Sequence, residues 1–309
     1  MEQVEKLSSH IGKSVGMGIL SWRSHATLEK SLQSYEAIGL KDLFDEVKII
    51  FQEISDEDIA LAKKYGYDYV GTERNLGIQQ GHQLIHDNIT ADYLLVLEND
   101  NPVVADAQTT YQRLLQALGF LENGTVDMMR LRHRWYFGEG FSLEKYTRYY
   151  DIRQPHRSYN GDLVQQSSLQ SVFKGLRRLF RPKKAQKLIG YALYFEKEPQ
   201  RLFPEFVESI GDECFAVSSR VMTWTNQSVL LQRSLYGSLL SYAWAHPSGR
   251  TANGFPDLEK PLNTKWWRDQ DYRIGVCEGI FTHNRYDDSW RREHHAFNQK
   301  IVKTSKGRT

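Results

Sequence analysis

Along the first hundred residues the apolar positions switch repeatedly between two periods. Val15–Ser21 is a short apolar run with glycines and predicts a buried strand. Leu28, Leu32 and Tyr35 then recur at helical spacing, with Gly39 as the stop. A second strand is predicted over 47–51. Ser55 and Asp58 form a capping-box-like start to a helix that ends near Gly66. A third strand is expected over 67–71. The next helix, about 78–88, carries Ile78, Ile85 and Ile89 on one side, and a fourth strand over 93–97 is apolar throughout, as befits burial on both faces. The order β-α-β-α-β-α-β predicts an α/β protein with a mainly parallel sheet and helices on both faces. Ligands of such sheets bind at the carboxyl ends of the strands.

The pattern then weakens. Tyr111, Leu114, Leu115 and Leu118 mark one more amphipathic helix, and 126–135 reads as a strand with interleaved basic residues. Residues 136–200 predict loops and short helices. We expect a single domain, with a nucleotide-binding half over 1–104 and an acceptor half over 105–309.

Composition narrows the class. Of 309 residues, 40% are hydrophobic and 25% charged, which excludes collagen-like and disordered chains. Forty Lys and Arg against 38 Asp and Glu leave +2, too balanced for a general nucleic-acid binder, so no nucleic-acid partner is expected. The two cysteines, Cys214 and Cys277, could pair, but with no sign of a secreted framework they are expected to be reduced thiols. Residues 1–13 are polar and read as no signal peptide, and no apolar run is long enough to span a bilayer. These readings predict a cytoplasmic protein.

The sharpest chemical feature is Tyr93 to Val104, YLLVLENDNPVV, in which a buried strand runs into Glu98-Asn99-Asp100. Two carboxylates one residue apart at a strand's carboxyl end suit Mn²⁺ or Mg²⁺ bridging protein and substrate phosphates. The alternative is a polar turn closed by Pro102.

With these residues in view, 15–104 resembles the nucleotide-sugar-binding half of GT-A glycosyltransferases, above all the family 2 type. The first strand and helix, VGMGILSWRSHATLEKSLQSY, the turn Asn75-Leu76-Gly77, and Glu98-Asn99-Asp100 in the place of the Asp-x-Asp motif carry the likeness. The resemblance implies a nucleotide-sugar donor, a UDP-sugar above others, and an inverting single displacement. It implies donor contacts from Ser21, Gln52, Glu53, Arg74, Asn75, Gly77, Glu98 and Asn99, and metal ligation by Glu98, Asp100 and a late histidine, His283. One departure is Ile50-Phe51-Gln52-Glu53, where the family has an Asp pair. Gln52 or Glu53 would then read the base, the alternative being a solvated strand end. The general base is implied in Asp257-Leu258-Glu259, with Glu259 favoured and Asp257 open as a helix cap.

Three features stand outside that core. Arg130, Arg132, His133 and Arg134 face an anionic acceptor or the leaving diphosphate, or, for at least half of them, solvent from an edge strand. Trp135, Trp266 and Trp267 are expected to be core. From 163 to 195 there are seven Lys or Arg and no acid, and 173–187 has the pattern of a helix attracted to anionic lipid. The acceptor class expected is a glycan or lipid-linked glycan, with peripheral membrane contact through that stretch. Two other functions stay open: a nucleotidyltransferase, against which the missing Gly-rich loop after the first strand counts, and a catalytically idle sugar-binding module.

Overall fold

In a computed structural model, residues 5–138, 143–153, 168–249, 251–252 and 254–285 are described. The strands are β1 (Val15–Ser21), β2 (Glu46–Phe51), β3 (Asp68–Gly71), β4 (Tyr93–Glu98), β5 (Met128–Arg132), β6 (Val207–Gly211), β7 (Cys214–Ser218), β8 (Val229–Gln232), β9 (Thr251–Ala252), β10 (Phe255–Pro256) and β11 (Arg273–Phe281). Nine of them form one sheet in the order β3-β2-β1-β4-β8-β5-β11-β7-β6, and β9 and β10 pair separately.

The predicted elements of the first hundred residues are present. β1 pairs in parallel with β2 and β4, and β2 with β3. The helices His25–Glu36, Asp56–Lys64 and Ile78–Asn88 connect them. The Ser55 hydroxyl accepts from Asp58 N–H while the Asp58 carboxylate accepts from Ser55 N–H, which completes the capping box. Ile89 lies one residue beyond its predicted helix and is buried.

Strand side chains alternate across the sheet, so each strand feeds two cores. Val15, Met17 and Ile19 of β1 and Tyr93, Leu95 and Leu97 of β4 pack on one face. Leu94 and Val96 pack on the other, with Ile85 and Leu240 from flanking helices. Both cores also draw on residues beyond 105, such as Leu118 on one side and Tyr236 on the other.

The mixed half of the sheet was not visible in the pattern. β8 lies antiparallel between β4 and β5, and the β6–β7 hairpin closes the far edge through antiparallel pairing of β7 with β11. Helix Arg233–Ala245 follows β8 directly. Two expectations are overturned here. β5 is an interior strand between β8 and β11, so Arg130, Arg132, His133 and Arg134 are buried, at 8%, 8%, 6% and 0% exposure, and none of them is a solvated edge residue. The cysteines are not free thiols: Cys214 and Cys277 face each other across the β7–β11 ladder and form a disulfide. Neighbouring strands held them within bonding reach, a pairing that spacing along the chain does not reveal.

Trp135 and Trp267 are buried and Trp266 partly so, as expected of core aromatics. Within 173–187 the observed elements are helix Ser168–Phe180 and a short helix Pro182–Gln186. No helix among the described residues is long and apolar enough to cross a membrane. His294 and His295, expected to be solvated, lie outside the described residues.

Candidate active site

The site forms where β4 runs out. Glu98 is its last residue, and the turn that follows is pinned by helix His25–Glu36. Ser31 Oγ donates to Asn99 O at 2.7 Å and Tyr35 Oη to Asn101 O at 2.7 Å, while Glu98 N–H donates to Asn101 Oδ1 at 3.0 Å. These buried hydrogen bonds fix the direction of each carboxylate. Ser31 and Tyr35 lie in the stretch that carries the likeness and Asn101 beside the acidic tripeptide, but no site role was expected of them.

The histidine arrives from the other end of the chain. After β4, residues 100–104 run antiparallel to 280–284. Val104 N–H donates to Ile280 O, Thr282 N–H to Pro102 O and Asn284 N–H to Asp100 O, at 2.9, 3.0 and 2.9 Å. This ladder seats the His283 imidazole on Asp100, with Nε2 3.0 Å from Oδ2. Arg285 Nε donates to the same oxygen at 3.0 Å. A bulge in β11 sets the register, and Gly279 sits within it at φ +82°; an added Cβ there would meet Arg132 O at 2.4 Å.

One ligand atom each from Glu98, Asp100 and His283 lies within 4.8 Å of the others. Two carboxylate oxygens and an imidazole nitrogen are a donor set that fits Mn²⁺. Asp100 is 2% exposed. Burial pushes its pKa up, but His283 and Arg285 outweigh that and hold the carboxyl below its ordinary range. Asp100 is thus held anionic, as a ligand must be.

The carboxylates open on a cavity of about 190 Å³ lined by Trp22, Gln52, Asn75, Gly77, Ile78, Glu98, Asn99, Asp100, Phe255 and Arg285, among others. Six of the sequence-predicted residues therefore meet here. Gln52 is 3% exposed and its amide is already engaged: Nε2 donates to Gly77 O and Oε1 accepts from Leu76 N–H, both at 2.7 Å. It shapes the Asn75-Leu76-Gly77 turn and is not a solvated strand end. Asn75 Oδ1 accepts from Gly77 N–H at 2.8 Å. Gly77 has φ +84°, and a Cβ there would lie 2.3 Å from Phe255 Cβ.

Others of the predicted set stand aside. Glu53 does not line the cavity; its carboxylate takes the Trp22 indole N–H at 2.9 Å and pairs with Arg23, and these hydrogen bonds hold its pKa below the ordinary range. Arg74 is exposed and also outside the lining. Ser21 is buried beneath it, with Asn99 Nδ2 at 3.5 Å from its hydroxyl. Trp22, Phe255 and Arg285 were missed, although Phe255 lies just before Asp257 and Arg285 just after His283.

Glu259 begins a one-turn helix, Glu259–Leu262, with Leu258 at its N-cap. Asp257, one residue before that cap, accepts from Glu259 N–H through Oδ1 at 3.1 Å, and its Oδ2 lies 3.4 Å from Lys260 Nζ. Glu259 accepts from Asn226 N–H at 3.2 Å, and burial, followed by Asp257, raises its pKa against the pull of Arg130. It lines a second cavity of about 260 Å³. Phe255 on the first cavity and Glu259 on the second are four residues apart, so one loop serves both.

No protein-family model and no curated protein matches the chain. Solved structures do. The structure of Mycobacterium tuberculosis glucosyl-3-phosphoglycerate synthase with Mn²⁺, UDP-glucose and glycerol 3-phosphate is similar at 12% identity over 96% of this chain and 80% of that one, with a TM-score of 0.47. Staphylococcus aureus TarS 1–349 is similar at 11% identity over 88% and 60%, with a TM-score of 0.45. The same mycobacterial synthase with Mn²⁺ and UDP-glucose is similar at 17% identity over 40% and 45%, with a TM-score of 0.33. In the latter two comparisons the chain spans 60% and 45% of the length of the structure it matches.

Proposed function

We propose that the chain is a metal-dependent inverting glycosyltransferase, moving a sugar from a UDP-sugar to a hydroxyl of a glycan or lipid-linked glycan. The observation that carries this reading is the convergence of Glu98, Asp100 and His283 on one point at the mouth of a cavity. Asp100 and His283 are 183 positions apart, and packing alone had no need to aim them together.

Glu98, Asp100 and His283 would hold Mn²⁺ or Mg²⁺, and the bound ion supplies positive charge against the departing diphosphate. The chain's own groups do the rest. Gln52 and Asn75 hold the turn against which the nucleotide lies. Glu259 takes the proton of the acceptor hydroxyl on a carboxylate oxygen. The freed oxygen forms a bond to the anomeric carbon, and the carbon–oxygen bond to the diphosphate breaks with its electron pair leaving on the nucleoside diphosphate. A raised pKa makes Glu259 a stronger base for that step.

A thermal-shift screen of nucleoside diphosphates, each with Mn²⁺ and with chelator, tests the donor site, because a ligand of the native state raises the midpoint by mass action. The expected result is a Mn²⁺-dependent shift with UDP, together with Mn²⁺-dependent hydrolysis of a UDP-sugar. Absence of both would overturn the reading and leave the idle module.

We propose in addition that helix Ser168–Phe180 places the enzyme on anionic membranes. Val172, Phe173, Leu176, Leu179 and Phe180 are 62%, 58%, 43%, 72% and 78% exposed, and Arg177, Arg178 and Arg181 lie among them, while Lys174 is buried against Asp151. Co-sedimentation with phosphatidylserine vesicles at low salt is expected, and Leu179→Asp with Phe180→Asp should abolish it. Equal sedimentation of the variant would refute the role.

A further inference from the structure

The Glu259 carboxylate is held from outside its own turn. Asn226 N–H donates to Oε1 at 3.2 Å, and the Thr225 hydroxyl adds a second hydrogen bond. Both donors belong to residues 223–227, the loop that leads into β8. That loop is anchored at Trp224, which is buried. Its ring stacks on Tyr236, with centroids 6.4 Å apart, and meets Trp267 edge-on at 5.9 Å. Its indole N–H donates to Asn226 Oδ1 at 3.0 Å, which ties the ring to the residue that donates to Glu259.

The return contact comes from the far end of the same helical turn. Asn263 is the C-cap of Glu259–Leu262, and its backbone N–H donates to Glu259 O at 2.8 Å. Its side chain clamps both polar atoms of one loop residue: Trp224 N–H donates to Oδ1 at 2.6 Å, and Nδ2 donates to Trp224 O at 3.0 Å. A carboxamide carries an acceptor and a donor in one plane, which matches the N–H and C=O of a single residue. Glu259 and Asn263 therefore grip one loop from the two ends of one turn. Burial of the turn does not depend on either contact, since Leu258 and Leu262 are buried in the core.

We infer that Asn263 is a positioning residue for the Glu259 carboxylate: it locks loop 223–227 and the Glu259 turn together, so that the carboxylate keeps its direction in the second cavity. The catalytic meaning of this rests on the glycosyl-transfer reading, which it extends to a residue that acts through the base. Trp224, Thr225, Glu259 and Asn263 all line that cavity. The other charged and titratable groups around the carboxylate are Asp257 on its own segment, Arg130 and Arg132 from β5, and Lys187, Tyr191 and Tyr194. Arg130 donates to Thr223 O and so steadies the same loop. Precision matters here because a shift of about 1 Å in a reacting group can cost ~10²-fold in rate.

Two measurements on the full chain test this: carbon-13 carboxyl NMR of glutamate-labelled protein, and Mn²⁺-dependent hydrolysis of UDP-glucose with water as acceptor. Asn263→Ala keeps the buried leucine anchors and should fold. Its Glu259 titration midpoint should move toward the ordinary glutamate value as water reaches the carboxylate; Glu259→Gln identifies the resonance by its loss. The same variant should lower kcat by about 10- to 100-fold with the KM for UDP-glucose unchanged. In a Glu259→Gln background Asn263→Ala should cost nothing further, because the residue acts only through that carboxylate. Asn263→Asp, which keeps the acceptor for Trp224 N–H and loses the donor, should show a smaller loss. An unmoved midpoint, an unchanged kcat, or an equal further loss in the Glu259→Gln background overturns the inference. If the midpoint moves while wild type shows neither UDP-glucose hydrolysis nor a Mn²⁺-dependent shift with UDP, the glycosyl-transfer reading falls and the hold of Asn263 on Glu259 stands.

Discussion

The two cavities sit side by side with opposite electrostatics. In the first, carboxylates from one tripeptide, Glu98-Asn99-Asp100, are fixed by backbone ladders and small buried hydrogen bonds. In the second, cations from β5 meet residues drawn from 187 to 263. The difference shows how each kind of site is made. A hard-cation site needs oxygens a few ångströms apart, which a strand end and its turn can supply locally. A wider basic cavity needs charges spread over its surface, which only tertiary packing can assemble.

Several experiments would break or sharpen that contrast. The largest effect is expected at the boundary between the cavities. Glu259→Gln should lower kcat by ~10²–10⁴-fold with donor affinity nearly intact, as for loss of a general base. If Asp257→Asn gives the large loss instead, the capping contact hides the true base. Next comes the acidic cavity itself. Asp100→Asn is expected to cost ~10²–10³-fold in metal-dependent turnover, a typical loss when stabilisation of developing charge is removed. Retained activity in chelator would erase the contrast.

The pH profile sharpens the same boundary. Glu259 has a raised pKa and must be ionised to act, so kcat should fall as pH drops through that raised value, with the acid limb above the ordinary Glu position. In stability the sign reverses. The raised pKa contributes at low pH, and its contribution is lost as pH rises through the folded value. Rate and stability measured across the acid range check both signs.

A smaller effect is expected at Gln52, which shapes the acidic cavity without touching the metal ligands. Gln52→Ala removes two hydrogen bonds from the turn, each worth about 1 kcal/mol, and should raise donor KM by about tenfold with kcat little changed. Last, Cys214→Ser touches neither cavity. It should lower stability by ~2–4 kcal/mol in denaturant while leaving donor affinity in place. Altered donor affinity in that variant would tie the disulfide to the acidic cavity.

The acidic cavity was largely legible and the basic one was not. Glu98 and Asp100 are neighbours in sequence, and the apolar run before them says where they point. His283 stood out as a late histidine just past the apolar end of β11, Ile280-Phe281. Gln52 lines the cavity, and nothing local shows that its amide is taken by the turn. Arg130 and Arg132 were visible as a dense basic strand, yet their burial depended on β8 and β11, strands from 100 and more residues later. Sequence pattern reports local periodicity and has no access to which strand will lie alongside. The Cys214–Cys277 pair was lost for the same reason.

The insertion of β8 beside β4 bears on how the chain is made. Tyr93 of β4 and Gln232 of β8 pair across 139 positions, so during synthesis the growing chain must wait for residues 229–232 before β4 gains its second neighbour. Until then an apolar strand presents an open row of backbone donors and acceptors, the form most prone to wrong pairing between chains. Long-range closure of this kind slows folding and lengthens the exposure. A fragment ending near residue 104 should therefore aggregate as it leaves the ribosome, even though it contains the whole carboxylate motif. The segment up to residue 104 carries the carboxylate motif, but its solubility depends on sequence translated long after it.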